Sequence, residues 1–346
     1  MTEATTTALA RTAATGTPPT AGTTAKRVQA PKLTVTVTEV ADVTAQIRRF
    51  RFAAPDGLPL PPFSGGAHVI VELQDGATLR RNPYSLMSSP TDTSSYAISV
   101  RRDDAGRGGS LFLHREVRVG QTLTISRPVN LFPIDWRARR HLLIAGGIGI
   151  TPFLAQLVQH EAAGSDVELH LAVRGREHGA YLDDLERRYG DRVHVHCDDM
   201  GDRIPLDRLL DAQPLGTHLY VCGPAPMMAW VLDTADAAGW PAQALHTERF
   251  LAPASGAPYD ITLALTGRTV RVGEHQSMLE AIEAAGVDAP YMCRGGACGE
   301  CETPVISYEG GILHNDHFLS PEDKASGRKI MPCVSRFEGP SIVLQR

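Results

Sequence analysis

No stretch of this 346-residue chain reads as a membrane span. The longest apolar run, Leu142 to Val158, is interrupted by Gly146, Gly147, Gly149 and Pro152, whereas a span needs roughly 20 mostly apolar residues. Positive charge is not in excess either: 34 Lys and Arg stand against 39 Asp and Glu, a net charge of −5. That balance argues against nucleic acid as a partner, since such binders carry a basic footprint. The N-terminus is rich in Thr and Ala and lacks the apolar core of a secretory signal, so a cytoplasmic protein with no membrane partner is expected. Cysteine is sparse, six residues in all, and a disulfide framework is not expected in a large chain without a signal. What is present, 42% hydrophobic and 21% charged residues, suits an ordinary globular protein of two or three domains.

The pattern changes three times along the chain. Residues 1–30 have few bulky apolar residues and no period, and are expected to be a disordered tail. From 31 to 135, short alternating segments such as KLTVTVTEV, AHVIVEL and YAISVRR predict an antiparallel β-barrel. From 136 to 250, strand and helix patterns alternate, as in HLLIAG, PFLAQLVQHEAA and VELHLAVR, which predicts an α/β unit with a parallel sheet. LAPASGAP, within 251–258, reads as a linker. Residues 259–346 read as a hairpin and helix leading into a cysteine-rich loop, with SIVLQR as a closing strand.

Four of the six cysteines lie in that last region. Cys293-x4-Cys298-x2-Cys301, followed by Cys333, is the spacing by which plant-type ferredoxins hold a [2Fe–2S] cluster. Four thiolates must converge on two irons from one tight loop and one distant residue. Gly295, Gly296, Ala297 and Gly299 keep that loop small enough to fold over inorganic sulfur. A structural zinc site would show paired C-x2-C knuckles, and only one pair is present.

Four further segments carry candidate binding residues. Arg81-Asn82-Pro83-Tyr84-Ser85 offers an arginine for a phosphate, an aromatic ring and a hydroxyl. Arg107-Gly108-Gly109-Ser110 opens a helical segment, where free N–H groups and the positive dipole end suit a phosphate. Gly146-Gly147-Ile148-Gly149-Ile150-Thr151-Pro152 joins a strand to a helix. It is not the Rossmann fingerprint, since the third glycine is absent and no acid caps the second strand. Cys222-Gly223-Pro224 ends a strand at the sheet edge where ligands bind in open α/β folds.

Taken with the cysteine loop YMCRGGACGECETPVISYEGG, these motifs resemble, in order, the phthalate dioxygenase reductase family. The resemblance implies a flavin-binding Greek-key barrel, a nicotinamide domain and a β-grasp ferredoxin domain. It implies FMN, with FAD less favoured because no aromatic is evident for an adenine. It puts Arg81 on the flavin phosphate with Arg107, Gly108, Gly109 and Ser110, although one extra residue leaves Arg80 as the other choice. Tyr84 and Ser85 then lie against the ring, Ser85 near N5, with Ser99, Val100 and Arg101 in the strand beside it. Gly146, Gly147, Gly149, Thr151 and Pro152 admit the pyrophosphate, Cys222 stands beside nicotinamide C4 with Gly223 and Pro224, and Phe250 covers the ring. Arg174 and Arg176 stack on adenine, hold the 2′-phosphate of NADPH, or form a solvated turn; NADH is the expected donor.

On that reading the chain is the reductase of a multi-component oxygenase, carrying electrons from NADH through flavin and cluster to a partner oxygenase. The protein supplies positioning and redox tuning, with no side chain acting as acid, base or nucleophile. A Rieske, haem or diiron partner, or a general acceptor, all remain open; a redox sensor is the reading from a different class.

Overall fold

The computed structural model describes residues 31–76 and 78–346, so the expected tail at 1–30 lies outside the described residues. Alternation builds the first sheet. In β1 (Leu33–Asp42) Val35 and Val37 are buried between exposed Thr34 and Thr38, and in β2 (Ile47–Ala53) Phe50 and Phe52 point inward between arginines. With β3 (Ala67–Asp75), β4 (Thr78–Ser85), β5 (Tyr96–Arg101) and β6 (Thr122–Ile125), they form an antiparallel barrel in the order β4-β3-β6-β1-β2-β5. The return of β6 between β1 and β3 is the Greek-key connection. Helix α1 (Gly109–Glu116) plugs one opening with buried Leu113, and β7 (Val129–Asn130) pairs with β3.

The second sheet is wholly parallel: β8 (Arg140–Gly146), β9 (Val167–Val173), β10 (Val193–Cys197), β11 (Thr217–Cys222) and β12 (Leu245–Glu248), in the order β10-β9-β8-β11-β12. Helices α2 (Thr151–Ala163), α3 (Leu182–Tyr189), α4 (Leu206–Asp211) and α5 (Ala225–Ala237) cover its two faces over separate apolar cores. The order of connection reverses between β8 and β11, which opens a crevice at their carboxyl ends. Phe132 and Ile47 from the barrel side are buried in the core of this domain.

The third sheet runs β14-β13-β19-β15-β17, from β13 (Tyr259–Leu263), β14 (Arg268–Val272), β15 (Thr303–Tyr308), β17 (Lys329–Ile330) and β19 (Ser341–Leu344). A small hairpin of β16 (Gly311–Leu313) and β18 (Arg336–Glu338) lies beside it, with α7 (Pro321–Ser326) after β16. Helix α6 (Met278–Ala284) packs Met278, Leu279, Ala281 and Ile282 into this core. Its start is fixed by a capping box in which Ser277 and Glu280 exchange hydrogen bonds.

Candidate redox site

The cysteine loop lies between α6 and β15, and Cys333 sits in the turn between β17 and β18. Their thiols meet in two hydrogen-bonded pairs, Cys293 with Cys298 and Cys301 with Cys333. The Cys298 contact, with the N–H groups of Gly295 at 3.3 Å and Ala297 at 3.5 Å, draws the Cys293 thiol below its ordinary value. The Cys333 contact lowers Cys301 likewise. Gly296 and Gly299 make the loop possible. Both have positive φ, and a Cβ on Gly299 would fall 2.3 Å from the Phe318 ring. Two thiol pairs with N–H groups aimed at sulfur are a donor set suited to two irons.

A second centre forms where the barrel meets the parallel sheet. Ser85, at the end of β4, donates its hydroxyl to Glu248 Oε2 at 3.1 Å, and Glu248 neighbours Cys222 in the β11–β12 ladder. Burial pushes the Glu248 carboxyl up to about 8, against the Ser85 hydrogen bond, and raises the Cys222 thiol well above its ordinary value. The expected Ser85 and Cys222 are therefore together, with Glu248 between them. Glu248 is a residue that no sequence motif marks. Tyr84 lies beside this centre in sequence; its hydroxyl is buried, with only the Asn82 amide near and no well-formed hydrogen bond. Ser99 shares a 2.5 Å hydrogen bond with the Tyr181 hydroxyl across the domain boundary. Val100 instead points into the barrel core, which leaves only its backbone for a ligand.

The phosphate turn differs from expectation in its arginines. Gly108 has φ +94, and Cβ atoms on Gly108 and Gly109 would meet the Arg80 guanidinium at 3.1 Å and the Asn82 amide at 2.8 Å. Strand alternation puts Arg80, Asn82 and Tyr84 on one face of β4 and Arg81 on the other. Arg81 there pairs with Glu72 at 2.8 Å and Glu283 at 3.1 Å, on the face away from the Gly108-Gly109 turn. Arg107 is also turned away, its guanidinium pairing with Glu280 and the His275 carbonyl. The Ser110 hydroxyl accepts the Asp103 N–H at 3.0 Å. Beside the turn stand Asn82, the N–H groups opening α1, and Arg80, which itself pairs with Asp75 at 3.0 Å and donates to the Arg107 carbonyl.

The crevice between β8 and β11 is a cleft of about 910 Å³. Gly146, Gly147 and Gly149 line it opposite Gly223 and Pro224, with Phe250, half exposed, and Arg101 at its barrel side. Gly149 has no substitute: a Cβ would lie 2.2 Å from the Cys222 carbonyl oxygen. The Thr151 hydroxyl donates to the Ile148 carbonyl at 3.0 Å, and Thr151 and Pro152 are buried, so both build the turn rather than face a ligand. Arg174 lines the far end with Asp198 and Arg203, which sequence reasoning passed over. Arg176 does not; it is held by Asp183 at 3.0 Å and Glu186 at 2.6 Å on α3. Among the described residues no helix is long and apolar enough to cross a membrane.

Comparisons with known proteins agree with this geometry. A family profile described as the N-terminal domain of dimethylamine monooxygenase subunit DmmA-like proteins matches residues 124–245, and one described as a 2Fe-2S iron-sulfur cluster binding domain matches 261–338. The chain is 44% identical over 312 residues to the heme-dependent oxidative N-demethylase beta subunit of Ectopseudomonas mendocina (strain ymp), covering 90% of this chain and 98% of that one. It is 43% identical over 316 residues to the carnitine monooxygenase reductase subunit of Escherichia coli (strain K12), covering 90% and 97%. The solved structure of phthalate dioxygenase reductase, described as modular for electron transfer from pyridine nucleotides to [2Fe-2S], superposes with a TM-score of 0.82 at 32% identity, covering 91% and 98%. Fold and site thus define an NAD(P)H-dependent flavin iron–sulfur electron-transfer enzyme, the reductase component of a multi-component oxygenase. The chain belongs to the phthalate dioxygenase reductase family.

Proposed function

We propose that the chain takes electrons from NADH, passes them through FMN and a [2Fe–2S] cluster, and delivers them to a terminal oxygenase acting on a methylated amine. The observation that carries the electron path is the meeting of Ser85, Cys222 and Glu248 at the junction of barrel and parallel sheet, beside the cleft. When bound, the flavin accepts a hydride and releases its two electrons singly, and the cluster relays one at a time.

The chain's own residues do the positioning. Gly146, Gly147 and Gly149 let a pyrophosphate approach the start of α2, while Cys222, buried behind Gly149, backs the end of the cleft where the nicotinamide would enter. Ser85 presents its hydroxyl to the flavin edge, and Glu248 holds that hydroxyl in place. Arg80, Asn82 and the opening of α1 receive the flavin phosphate. FMN is supported by the packing of α6 against Arg107, at the outer edge of that turn, where an adenylate would need room. NADH is favoured by Asp198, an acid lining the same end of the cleft as Arg174 and Arg203, which opposes a 2′-phosphate. Cys293, Cys298, Cys301 and Cys333 hold the cluster. Six free thiols, four of them assigned to it, suit the reducing cytoplasm.

The amine class rests on the names of the relatives, an N-demethylase subunit and carnitine monooxygenase reductase subunits. Reconstitution with terminal oxygenases tests it. Substrate-dependent NADH oxidation is expected with an oxygenase of a methylated amine. Coupling only to an oxygenase of an aromatic acid would contradict the substrate class while leaving the electron path standing.

A further inference from the structure

We propose that the ion-pair chain Arg81–Glu283–Arg294, with Arg107–Glu280 beside it, holds the cluster loop in its electron-receiving position against the flavin barrel. The proposal rests on the electron path given above and adds to it a set of positioning residues.

Helix α6 has two faces. Its apolar residues enter the ferredoxin core, whereas Glu280 and Glu283, three residues apart and so on one side, meet the barrel. Glu283 joins two arginines from opposite sides. One oxygen accepts from Arg81 at 3.1 Å, and the other from Arg294. Arg294 directly follows Cys293, and its guanidinium lies 3.7 Å over the Tyr291 ring. Arg81 stands in β4, four residues before Ser85, and is held from behind by Glu72, which also pairs with Lys32 at 2.8 Å. A single carboxylate therefore ties the strand that carries Ser85 to the loop that carries the first cluster cysteine.

The second tie works in parallel. Glu280 Oε2 accepts from Arg107 at 2.5 Å and also from the Ser277 N–H at 2.8 Å, so the carboxylate that caps α6 is the one that binds the barrel. Arg107 Nε donates to the His275 carbonyl at 2.8 Å, and Arg107 precedes the Gly108-Gly109 turn. Both barrel segments assigned to the flavin are thereby anchored to one helix of the ferredoxin domain.

These pairs differ from ordinary surface bridges. The five side chains are between 4% and 16% exposed, so screening is weak and a missing partner leaves a charge poorly solvated. Without Glu283, Arg81 and Arg294 would face one another with no shared counter-charge. Charge complementarity of this kind fixes register more than it adds affinity. Electron transfer through space falls steeply with distance, so the register is where the effect shows.

The test uses the full-length holoprotein with Glu283→Gln, after flavin and cluster contents have been confirmed. Stopped flow with NADH separates flavin reduction from the flavin-to-cluster step, and protease cleavage within 251–258 is followed on holoprotein and apoprotein. Flavin reduction should keep its rate. The second step should slow by about tenfold or more, the scale on which small misplacements act, and cleavage should accelerate. Arg81→Met should reproduce both effects and Arg81→Lys should restore most of the rate, a pattern that simple loss of fold would not give. Should Glu283→Gln fail to accumulate, the Arg81 pair carries the test alone. An unchanged second step and unchanged cleavage with both cofactors in place would overturn the proposal. Failure of the unmodified protein to reduce its cluster at all would instead overturn the electron path.

Discussion

In the proposed hydride site, Glu248 is the titratable residue. Its carboxyl is pushed up to about 8 by burial, so it is mostly neutral at pH 7 and can share a proton with Ser85 without placing a charge beside the ring. A hydride delivered to a flavin held there would add negative charge nearby, which an ionised Glu248 would oppose. Flavin reduction by NADH should therefore slow as pH rises through about 8, and Glu248→Gln should remove that titration while keeping a substantial rate. The sign for stability follows from the same shift. A group raised above its usual 4.5 stabilises the fold fully below that value and loses the contribution as pH rises to about 8. Denaturant unfolding of the apoprotein across that range should show the decline in the parent and a flatter profile in Glu248→Gln. Cys222→Ala should slow flavin reduction without changing flavin content; a normal rate would return Cys222 to a purely structural role.

At the scale of elements, the account rests on how β4 presents its side chains. A period of two puts Arg80, not Arg81, on the face of Tyr84, and this was legible in the sequence: an odd spacing of three separates Arg81 from Tyr84. Matching by motif alone concealed it. Arg80→Ala should weaken FMN retention by about tenfold or more, as expected for a charge-assisted phosphate contact, whereas Arg81→Ala should leave flavin bound. Equilibrium dialysis of the two variants separates them. The glycine turn after β8 was equally legible as a motif, but the reason for Gly149 was not, because the Cys222 carbonyl that excludes a side chain lies 73 residues on. Gly149→Ala should cost about 1–3 kcal/mol through overpacking, read as a lowered Tm in the apoprotein.

For the whole molecule, spacing and alternation announced three sheets and a cluster loop, because hydrophobic period and cysteine spacing are local signals. Their mutual placement was not readable. The Arg81–Glu283 pair joins residues 202 apart in sequence, and Ser85 meets Glu248 across 163; no local pattern marks either partner. The last ninety residues are acidic in excess, with twelve acids against eight bases from Ala257 onward. Two of those acids, Glu280 and Glu283, pair with arginines of the barrel.

The central claim is that electrons run in series from NADH through the flavin to the cluster of the same chain. Stopped-flow spectra of the full-length holoprotein mixed anaerobically with NADH, with parallel freeze-quench EPR, test it most directly. The flavin absorbance should bleach first and the reduced-cluster signal should rise afterwards at the rate of a second phase. A Cys298→Ala protein should show the first phase alone. Cluster reduction that precedes or bypasses the flavin phase, or a second phase that survives loss of the cluster, would contradict the account.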